Sequence, residues 1–542
     1  MSKTNIKKWD VEDKSFWEST GKKIANKNLW LSIPSLLLGF ATWIMWSVLV
    51  KYMEEFGFHF GLTDGMELGS LEYLATVKDD VKPLYWNLTA IAGLSGATLR
   101  LPSSFLISLS GGRNVIFITT ALMLIPTIGT GIALSDIGTS YAVFACMAFF
   151  SGFGGGNFAS SMNNISYFFP KRMQGYALGM NAGIGNLGVG LMQVTIPIIA
   201  TFAIFGGTAG AIATAKGAPF EGLQNGAFIW VPFIALFSLL AFFKMNNVST
   251  ATPSMPSTTA GVSKTLYMII LGLISAGVGA VMLTEVPWDD LGMKSAAMWI
   301  VLPIVIFLLV VLMKRATPSE IRGNLKEQFV ILRDKHNWIM TIIYTMTFGS
   351  FIGFSMTFIP LTKQLFERTN DLGDIMNNPP EYMIWAFIGP VLGALVRPVG
   401  GIIADKFNSG AKVTMWSTIV QVIATLGVAY FVLQSKGSDT PEDNWWGYFA
   451  CFMVLFIATG IGNGSTFRSI PYIFSKKKAG AVLGWSSAIA AYGAFIIPIV
   501  FKDQVAAGTA EYALYGFAAY YVICLLLNWW YYQGPKREFD NP

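Results

Sequence analysis

Long, uninterrupted apolar runs are the feature that most constrains the fold of this chain. Leu29–Val50, Val115–Leu134 and Met298–Met313 each approach the roughly 20 residues that a helix needs to cross a bilayer. Only 13% of the 542 residues are charged and 53% are hydrophobic, whereas about a quarter of an average soluble protein is charged. Because a soluble globule could not bury so much apolar surface, the sequence predicts an all-α polytopic membrane protein.

The hydropathy pattern predicts fourteen transmembrane helices. Their predicted bounds are 29–53, 87–110, 114–134, 139–169, 176–203, 227–243, 265–283, 297–313, 338–362, 382–404, 411–434, 445–474, 479–501 and 512–532.

The charges of the connecting loops alternate along the chain. One set of loops, which includes both termini, carries 25 Lys and Arg against 10 Asp and Glu, and the other set carries 9 against 21. The positive-inside rule therefore predicts that both termini are cytoplasmic in a multi-pass protein of the cell membrane. The formal net charge of +6 follows this loop pattern and does not indicate binding to nucleic acid.

Two halves of the chain resemble each other. Gly96-Ala97-x-x-Arg100 recurs as Gly393-Ala394-x-x-Arg397, 297 residues later, and YFFPKRMQGYALG (167–179) aligns with YIFSKKKAGAVLG (472–484). The stretch GFGGGNF, ending at Phe158, likewise resembles GIGNGSTF, ending at Phe467. Such repeats are typical of transporters that bind their substrate near the bilayer midplane.

The repeat predicts the domain organisation. Two six-helix halves at 29–247 and 320–533 are joined by 248–319, a linker that contains an inserted transmembrane hairpin. Residues 1–28 and 534–542 are predicted to be a cytoplasmic N-terminal segment and a cytoplasmic tail.

Three arginines and no acidic residues lie inside the predicted spans: Arg100, Arg397 and Arg468. An arginine at the bilayer centre costs about 2.5–3.5 kcal/mol on insertion scales and is tolerated beside a polar cavity or a partner. Arg100 and Arg397 are related by the repeat and lack an acidic partner within the spans, so we expect a small oxoanion to be their counter-ion, gripped by the planar guanidinium fork. Arg468 has no counterpart in the first half and is expected to snorkel towards the cytoplasm.

The glycine-rich segment ALGMNAGIGNLGVG (177–190) allows two interpretations. Small residues let membrane helices pack closely, so the segment is explained in part by packing alone. Asn181 and Asn186 are costly in lipid without a polar partner, and this favours a polar cavity nearby. For the other glycine-rich stretch, GFGGGNF (152–158), a dinucleotide-binding loop is excluded, because no βαβ pattern surrounds the glycines.

These segments together resemble the nitrate/nitrite porter family (NarK type) of the major facilitator superfamily. The matching motifs include GATLRLPSSFLISLSGGRNVIF, GGGNFASSMNNISYFFPK and GPVLGALVRPVGGIIADK. The resemblance covers both halves and implies the major facilitator fold. The inserted hairpin and the long loop 54–86 depart from the shortest members of that family.

The resemblance also implies roles for seven residues. Arg100 and Arg397 would clamp the anion, Tyr344 would donate a hydrogen bond to it, and Phe348 would form an aromatic wall. Phe158 and Phe467 would sandwich or gate the substrate, and Asn186 falls in the first nitrate-signature helix. The corresponding segment of the second half, AVLGWSSAIAAYGAF (481–495), departs from the family pattern and receives no binding role.

The predicted function is secondary transport of nitrate and nitrite, by exchange through alternating access. Two buried cations without an anion would repel each other in a low-dielectric cavity, which disfavours transitions of the empty carrier. The alternative is proton-coupled nitrate symport, which would need a protonatable relay that the predicted spans lack. A membrane anion receptor is a further alternative, although no large soluble domain is present to carry a signal.

No enzymatic activity, cofactor or metal is expected, since the sequence has no paired histidines for haem and no cysteine cluster. The expected partners are nitrate, nitrite and the lipid bilayer. We expect a monomer, with oligomerisation through the inserted hairpin left open.

Overall fold

Helices dominate the computed structural model, which describes residues 5–67, 70–211, 221–288, 294–368, 376–540 and 542. In the first part of the chain the helices are α1 (Lys14–Phe16), α2 (Lys22–Phe56), α3 (Leu71–Thr76), α4 (Lys82–Ser103), α5 (Leu106–Ser110), α6 (Gly112–Leu122), α7 (Leu124–Ala133), α8 (Tyr141–Phe150), α9 (Gly152–Phe168), α10 (Gln174–Ile199), α11 (Asn225–Phe228) and α12 (Val231–Lys244). They are followed by α13 (Thr258–Glu285), α14 (Lys294–Arg315), α15 (Ser319–Gln328), α16 (Lys335–Tyr344), α17 (Ser350–Phe366), α18 (Tyr382–Trp385), α19 (Ile388–Lys406), α20 (Gly410–Ser435), α21 (Trp445–Ile473), α22 (Lys476–Ala491), α23 (Gly493–Ala506) and α24 (Ala510–Tyr532).

Shorter elements complete the secondary structure. Strand β1 (Asn5–Ile6) pairs in parallel with β2 (Asn247–Val248). Turns of π-helix and 3-10 helix occur at Trp17–Gly21, Val77–Val81, Lys171–Met173, Phe329–Arg333, Thr345–Gly349 and Pro441–Asn444.

Thirteen helical stretches of the described residues are long and apolar enough to cross a membrane. Each overlaps one of the fourteen predicted spans, which confirms an all-α, multi-pass membrane protein. The remaining predicted span, 87–110, folds as α4 and α5 but is not among the thirteen. The glycine, serine and threonine residues of α4, together with Arg100, make it less apolar than its neighbours, so the count of fourteen is not reached.

The helices form two compact units. One unit contains residues 1–9, 30–161 and 191–326, and the other contains 10–29, 162–190 and 327–542. Helices α2, α9 and α10 each contribute segments to both units. The domain boundaries predicted at 247/248 and 319/320 follow the sequence repeat and stay predictions.

Glycines bring the arginine-bearing helix of each unit close to its neighbour. In the first unit, a methyl group at Gly155 of α9 would lie 2.6 Å from the Cα of Gly96 on α4. In the second unit, a methyl at Gly460 of α21 would lie 2.3 Å from the carbonyl oxygen of Gly393 on α19. These distances leave no room for a larger side chain, so the glycines of the repeat set the separation of the helices around each arginine.

The inserted hairpin packs against α4, the helix that carries Arg100. A methyl group at Gly272 of α13 would lie 2.7 Å from Cδ2 of Leu99. The two helices of the hairpin are tied together by Ser275, whose hydroxyl donates a hydrogen bond of 2.6 Å to the carbonyl oxygen of Val305. Both helices belong to the first unit.

The helices extend beyond the predicted spans, and their ends carry acidic residues. Asp405 lies in the last turn of α19, and Glu511 lies in the first turn of α24 with 4% of its surface exposed. Both acids lie just outside the predicted spans, which contain no acidic residue, because a helix continues past its apolar stretch wherever polar side chains find partners. Both acids do so: Asp405 faces Arg468, and Glu511 accepts a hydrogen bond of 3.1 Å from Lys436.

Candidate functional site

Arg397 is fully buried in the middle of α19, with 0% of its surface exposed. The centre of its guanidinium lies 4.1 Å from the ring centroid of Phe351 and 5.4 Å from that of Phe348. Within the described residues, its Nε, Nη1 and Nη2 atoms have no hydrogen-bond partner. Buried polar groups in proteins are almost always hydrogen-bonded, so a fully buried cation with all three nitrogens available indicates a binding site for an anion.

Two further aromatic side chains of the second unit, Tyr344 and Phe467, form a cluster with Phe348 that adjoins Arg397. The ring of Tyr344 lies 5.9 Å from the ring of Phe348 and 5.9 Å from the ring of Phe467. All three are fully buried. The sequence prediction that named these residues with Arg397 is consistent with this arrangement, and their role in substrate binding stays a prediction.

A π-helical turn at Thr345–Gly349 positions this cluster. It joins α16 to α17 directly after Tyr344 and contains Phe348, and Phe351 follows in the first turn of α17. A π turn adds a residue to the helical repeat, rotates the side chains that follow it, and is frequent at functional sites. Here it places Phe348 and Phe351 on the face towards Arg397.

Close packing on α19 fixes the main chain around Arg397. A methyl group at Gly464 of α21 would lie 2.1 Å from the carbonyl oxygen of Arg397, and one at Gly183 of α10 would lie 2.6 Å from Cδ of Pro398. A helix held on two sides in this way keeps its long side chain in one place, which reduces the entropy lost when a ligand binds.

Arg100 occupies the corresponding position in the first unit and is also fully buried. Its guanidinium lies 4.7 Å from the ring of Phe158, 4.8 Å from Trp43 and 5.5 Å from Phe40. Its Nε donates a hydrogen bond of 2.8 Å to the carbonyl oxygen of Gly155. Phe158, which the resemblance names as a residue that sandwiches or gates the substrate, lies beside Arg100, and that role stays a prediction. The bond to Gly155 was not foreseen.

Asn186 is buried in α10, but it has no described contact with the Arg397 cluster. Its Nδ2 donates a hydrogen bond of 2.6 Å to the carbonyl oxygen of Ala182, four residues earlier in the same helix. Its Oδ1 has no hydrogen-bond partner among the residues that the structure describes. A role for Asn186 in anion binding therefore rests on the family resemblance and stays a prediction.

Arg468 reaches the end of α19 and the turn that follows it, a region that the loop charges predict to be cytoplasmic, so the expectation that it turns towards the cytoplasm stays a prediction. It is 1% exposed, its Nε lies 3.6 Å from Oδ1 of Asp405, and its Nη2 donates a hydrogen bond to the side chain of Asn408. The guanidinium also lies 4.0 Å from the ring of Tyr472. Asp405 lies one residue beyond the predicted span, so the span inventory held no partner for Arg468, and the fold supplies one.

The sequence prediction missed Trp43, Phe40 and Phe351, the other aromatic contacts of the two arginines. Phe351 follows Phe348 by three residues, a spacing that places both on one helical face and could have indicated it. Trp43 and Phe40 come from α2, more than 50 residues before Arg100, and no local pattern connects them to it.

The chemistry of the Arg397 cluster suits a small planar oxoanion. The guanidinium offers a fork of N–H donors that matches two anion oxygens, and the surrounding rings provide a dry environment in which electrostatic attraction is strong. No described acidic side chain lies within ion-pair distance of Arg397, and no group of three or more metal-ligating residues occurs in the described chain. The buried guanidinium and its aromatic surroundings favour anion recognition, which stays a prediction.

Comparison with known proteins identifies the family. A protein of Thermus thermophilus described as a probable nitrate/nitrite antiporter, NarK2, is 34% identical over 540 residues, covering 99% of this chain and 98% of that protein. The nitrate/nitrite transporter NarU of Escherichia coli (strain K12) is 32% identical, covering 99% of this chain and 97% of that protein. The chain belongs to the nitrate/nitrite porter family. This confirms the resemblance inferred from the sequence motifs, and it places the chain among transporters rather than enzymes.

The nitrate/nitrite porter family is part of a larger superfamily, and the fold agrees with this. Residues 290–498 match the model of the Major Facilitator Superfamily. The solved structure of the proton:xylose symporter XylE aligns with a TM-score of 0.56 at 13% identity, covering 96% of this chain and 98% of that one. The human organic anion transporter MFSD10 aligns with the same TM-score at 14% identity, covering 93% and 99%. The predicted major facilitator fold is thus confirmed.

Proposed function

We propose that this porter exchanges nitrate and nitrite across the membrane by alternating access. The observation that carries the proposal is the fully buried guanidinium of Arg397, whose three nitrogens have no hydrogen-bond partner among the described residues. Burying a charge without a partner costs several kcal/mol, and a transported anion would remove that cost while it is bound.

The names of the relatives support nitrate and nitrite as the substrates. Both full-length relatives are described as nitrate/nitrite transporters or antiporters, and a relative from Bacillus subtilis that is 23% identical is described as a nitrite extrusion protein. Both anions present two or three oxygens in one plane, which suits bidentate hydrogen bonds from a guanidinium.

Seven residues are proposed to bind the substrate. Arg397 and its repeat counterpart Arg100 would supply the cationic donors, and Tyr344 would add a hydroxyl donor. Phe158 and Phe467 would sandwich or gate the substrate, and Phe348 would form an aromatic wall beside it. Asn186 would contribute from the first nitrate-signature helix.

Exchange is favoured over proton symport by the position of the acidic residues. Asp405 accepts a hydrogen bond of 3.0 Å from the main-chain nitrogen of Tyr176 and faces Arg468, and Glu511 pairs with Lys436. These acids lie at helix ends, and no acidic side chain of the described residues pairs with Arg397. A proton carried with nitrate would therefore lack a carboxylate beside the anion, whereas a second anion satisfies Arg397 on the return step.

Transport by proteoliposomes tests the proposal. Uptake of labelled nitrate is measured in liposomes that contain nitrite and in liposomes that have nitrite only in the outer solution. Both measurements are made with and without a pH gradient. Exchange predicts rapid uptake only with internal nitrite or nitrate, independent of the pH gradient. Accumulation of nitrate into anion-free liposomes, driven by the pH gradient alone, would establish symport and overturn the exchange mechanism.

Matched arginine variants test the site in the same assay. Arg397→Lys keeps the charge but loses the planar fork, and it should reduce exchange strongly. Arg315→Lys changes an exposed arginine at the end of α14 and should leave exchange unchanged. Equal rates in the two variants would contradict the assignment of Arg397.

Two finer points belong to the same proposal. The family resemblance supports a location in the inner membrane, and the charges of the loops support both termini in the cytoplasm, which reporter fusions at each end would test. We also propose that the porter acts as a monomer, which the mass of the detergent-solubilised protein would test.

A further inference from the structure

A groove of 580 Å³ opens along the second unit, away from the residues proposed to bind the transported anion. Its walls are two apolar stripes on neighbouring helices with matching spacing: Val413, Trp416, Ser417 and Val420 of α20, and Val454, Ile457, Ala458 and Ile461 of α21. In each stripe the residues follow one another at i, i+3, i+4 and i+7, which keeps them on one helical face. Ile403 and Phe407, at the end of α19, close one end.

Exposed apolar side chains of two candidate membrane-spanning helices line most of the groove, so it would face the hydrocarbon region of a bilayer. The side chains of Trp416, Val420 and Val454 are 63%, 40% and 43% exposed. From Lys412 to Val420 the helical rise of about 1.5 Å per residue gives a length of roughly 12 Å. Any occupant of this part of the groove must therefore be apolar, because the bilayer interior does not tolerate unpaired polar groups.

One end of the groove is cationic. Lys412 lines it, and Lys406 lies at the end of α19 in the same inter-helix turn. Both residues are exposed, and in the described part of the chain no acidic side chain pairs with either, since the nearby Asp405 faces Arg468. By the charge pattern of the loops, this end lies at the cytoplasmic surface. Trp416, one turn deeper, has the amphipathic ring that is typical of the headgroup level.

We propose that this groove binds an anionic phospholipid, with one acyl chain between α20 and α21 and the headgroup phosphate on Lys412 and Lys406. Basic pockets between membrane helices on the cytoplasmic side are suited to acidic headgroups.

The bound lipid would contact the helices that carry the anion-binding residues. Ile403 follows Arg397 on α19, and Ile461 precedes Phe467 on α21. The two helices are in close contact beside the groove, since a methyl at Gly400 would lie 2.3 Å from the carbonyl oxygen of Ile461. The lipid site is nevertheless separate from the anion site, and it does not depend on which anion is transported.

Native mass spectrometry of the purified full-length protein tests the proposal. The protein is titrated with phosphatidylglycerol or with phosphatidylcholine of identical acyl chains, and the fraction that retains one lipid gives the affinity. We expect at least a tenfold preference for phosphatidylglycerol, from about fivefold for each lysine. Lys412→Gln should lower phosphatidylglycerol affinity about fivefold and leave phosphatidylcholine unchanged.

A second variant tests the apolar part of the groove. Val420→Trp places a large ring on an exposed wall and should weaken the retention of both lipids. Ile423→Trp adds the same ring at a 65% exposed position outside the groove, and Lys244→Gln removes an exposed lysine at the end of α12. Both controls should behave as the unsubstituted protein.

Three outcomes would overturn the proposal. The first is equal retention of the two lipids by the unsubstituted protein. The second is unchanged retention in both Lys412→Gln and Val420→Trp, which would place the bound lipid elsewhere. The third is a dimer that Val420→Trp dissociates, which would make a second copy of the chain the occupant of the groove.

Discussion

Replacing Arg397 by lysine is the sharpest test of how this porter binds its anion. Lysine keeps one positive charge but presents it as a single point, so at least one of the two hydrogen bonds that the guanidinium fork can donate is lost. A hydrogen bond to a charged group contributes about 1.5–3 kcal/mol. The dissociation constant of nitrate should therefore rise about 10- to 150-fold, as measured by titration calorimetry on the purified protein.

A methionine variant separates binding from structural support. Arg397 is fully buried, and its nitrogens have no hydrogen-bond partner in the described residues. Its charge therefore destabilises the protein when no anion is bound. Removing such a charge is often neutral or stabilising by about 1–4 kcal/mol, offset in part by lost contacts with the aromatic rings, worth about 0.5–2 kcal/mol each. Without nitrate, Arg397→Met should melt no lower than the unsubstituted protein, and added nitrate should no longer raise its melting temperature.

Either of two results would contradict the proposed role of Arg397 in anion binding. An unchanged nitrate affinity in Arg397→Lys would show that the fork does not grip the anion. A markedly lower melting temperature for Arg397→Met in nitrate-free buffer would show that Arg397 serves the fold.

Three further predictions concern single side chains. Gly464→Ala places a methyl 2.1 Å from a carbonyl oxygen of α19 and should destabilise the protein by about 1–3 kcal/mol, whereas Gly516→Ala, with no atom within 4 Å, should melt unchanged. Tyr344→Phe keeps the ring but removes the hydroxyl proposed to contact the anion, so calorimetry should show nitrate binding at least about tenfold weaker; an unchanged affinity would exclude that contact. The hydrogen bond from Lys335 lowers the pKa of Glu538 below its ordinary value, so the stability from this pair is present above that ordinary value and is lost as the pH falls through the lowered pKa. Melting curves between pH 7 and 3 should converge with those of Glu538→Gln at the acid end, and a constant difference would contradict the effect.

The two repeat-related arginines differ in a way that has consequences for the transport cycle. Arg100 is tethered by its Nε to the carbonyl oxygen of Gly155, whereas no nitrogen of Arg397 bonds to another described residue. A tethered guanidinium is already oriented and loses less entropy on binding. Arg397 has more donors to satisfy, so we expect substitutions of Arg397 to weaken anion affinity more than the same substitutions of Arg100.

The sequence alone determined the helical, multi-pass fold and the residues worth testing. Apolar runs of bilayer length must be helical, because the backbone has no other hydrogen-bond partners in lipid. The repeated Gly-Ala-x-x-Arg motif identified Arg100 and Arg397, because an intramembrane charge is too costly to occur twice at equivalent positions without a purpose. Hydropathy was a weaker guide for α4, whose small and polar residues leave it outside the thirteen apolar spans.

Only the tertiary structure decided which partners surround those residues. Trp43 reaches Arg100 from α2, Phe351 is turned towards Arg397 by the π turn before it, and Arg468 meets Asp405, which lies 63 residues earlier in the chain. Hydropathy and motif spacing are properties of neighbouring residues and can be read locally. The contacts between helices depend on how closely the helices approach and how they are rotated about their axes. The glycines at which helices cross set the separation and the π turn sets the rotation, and both act only in the folded chain.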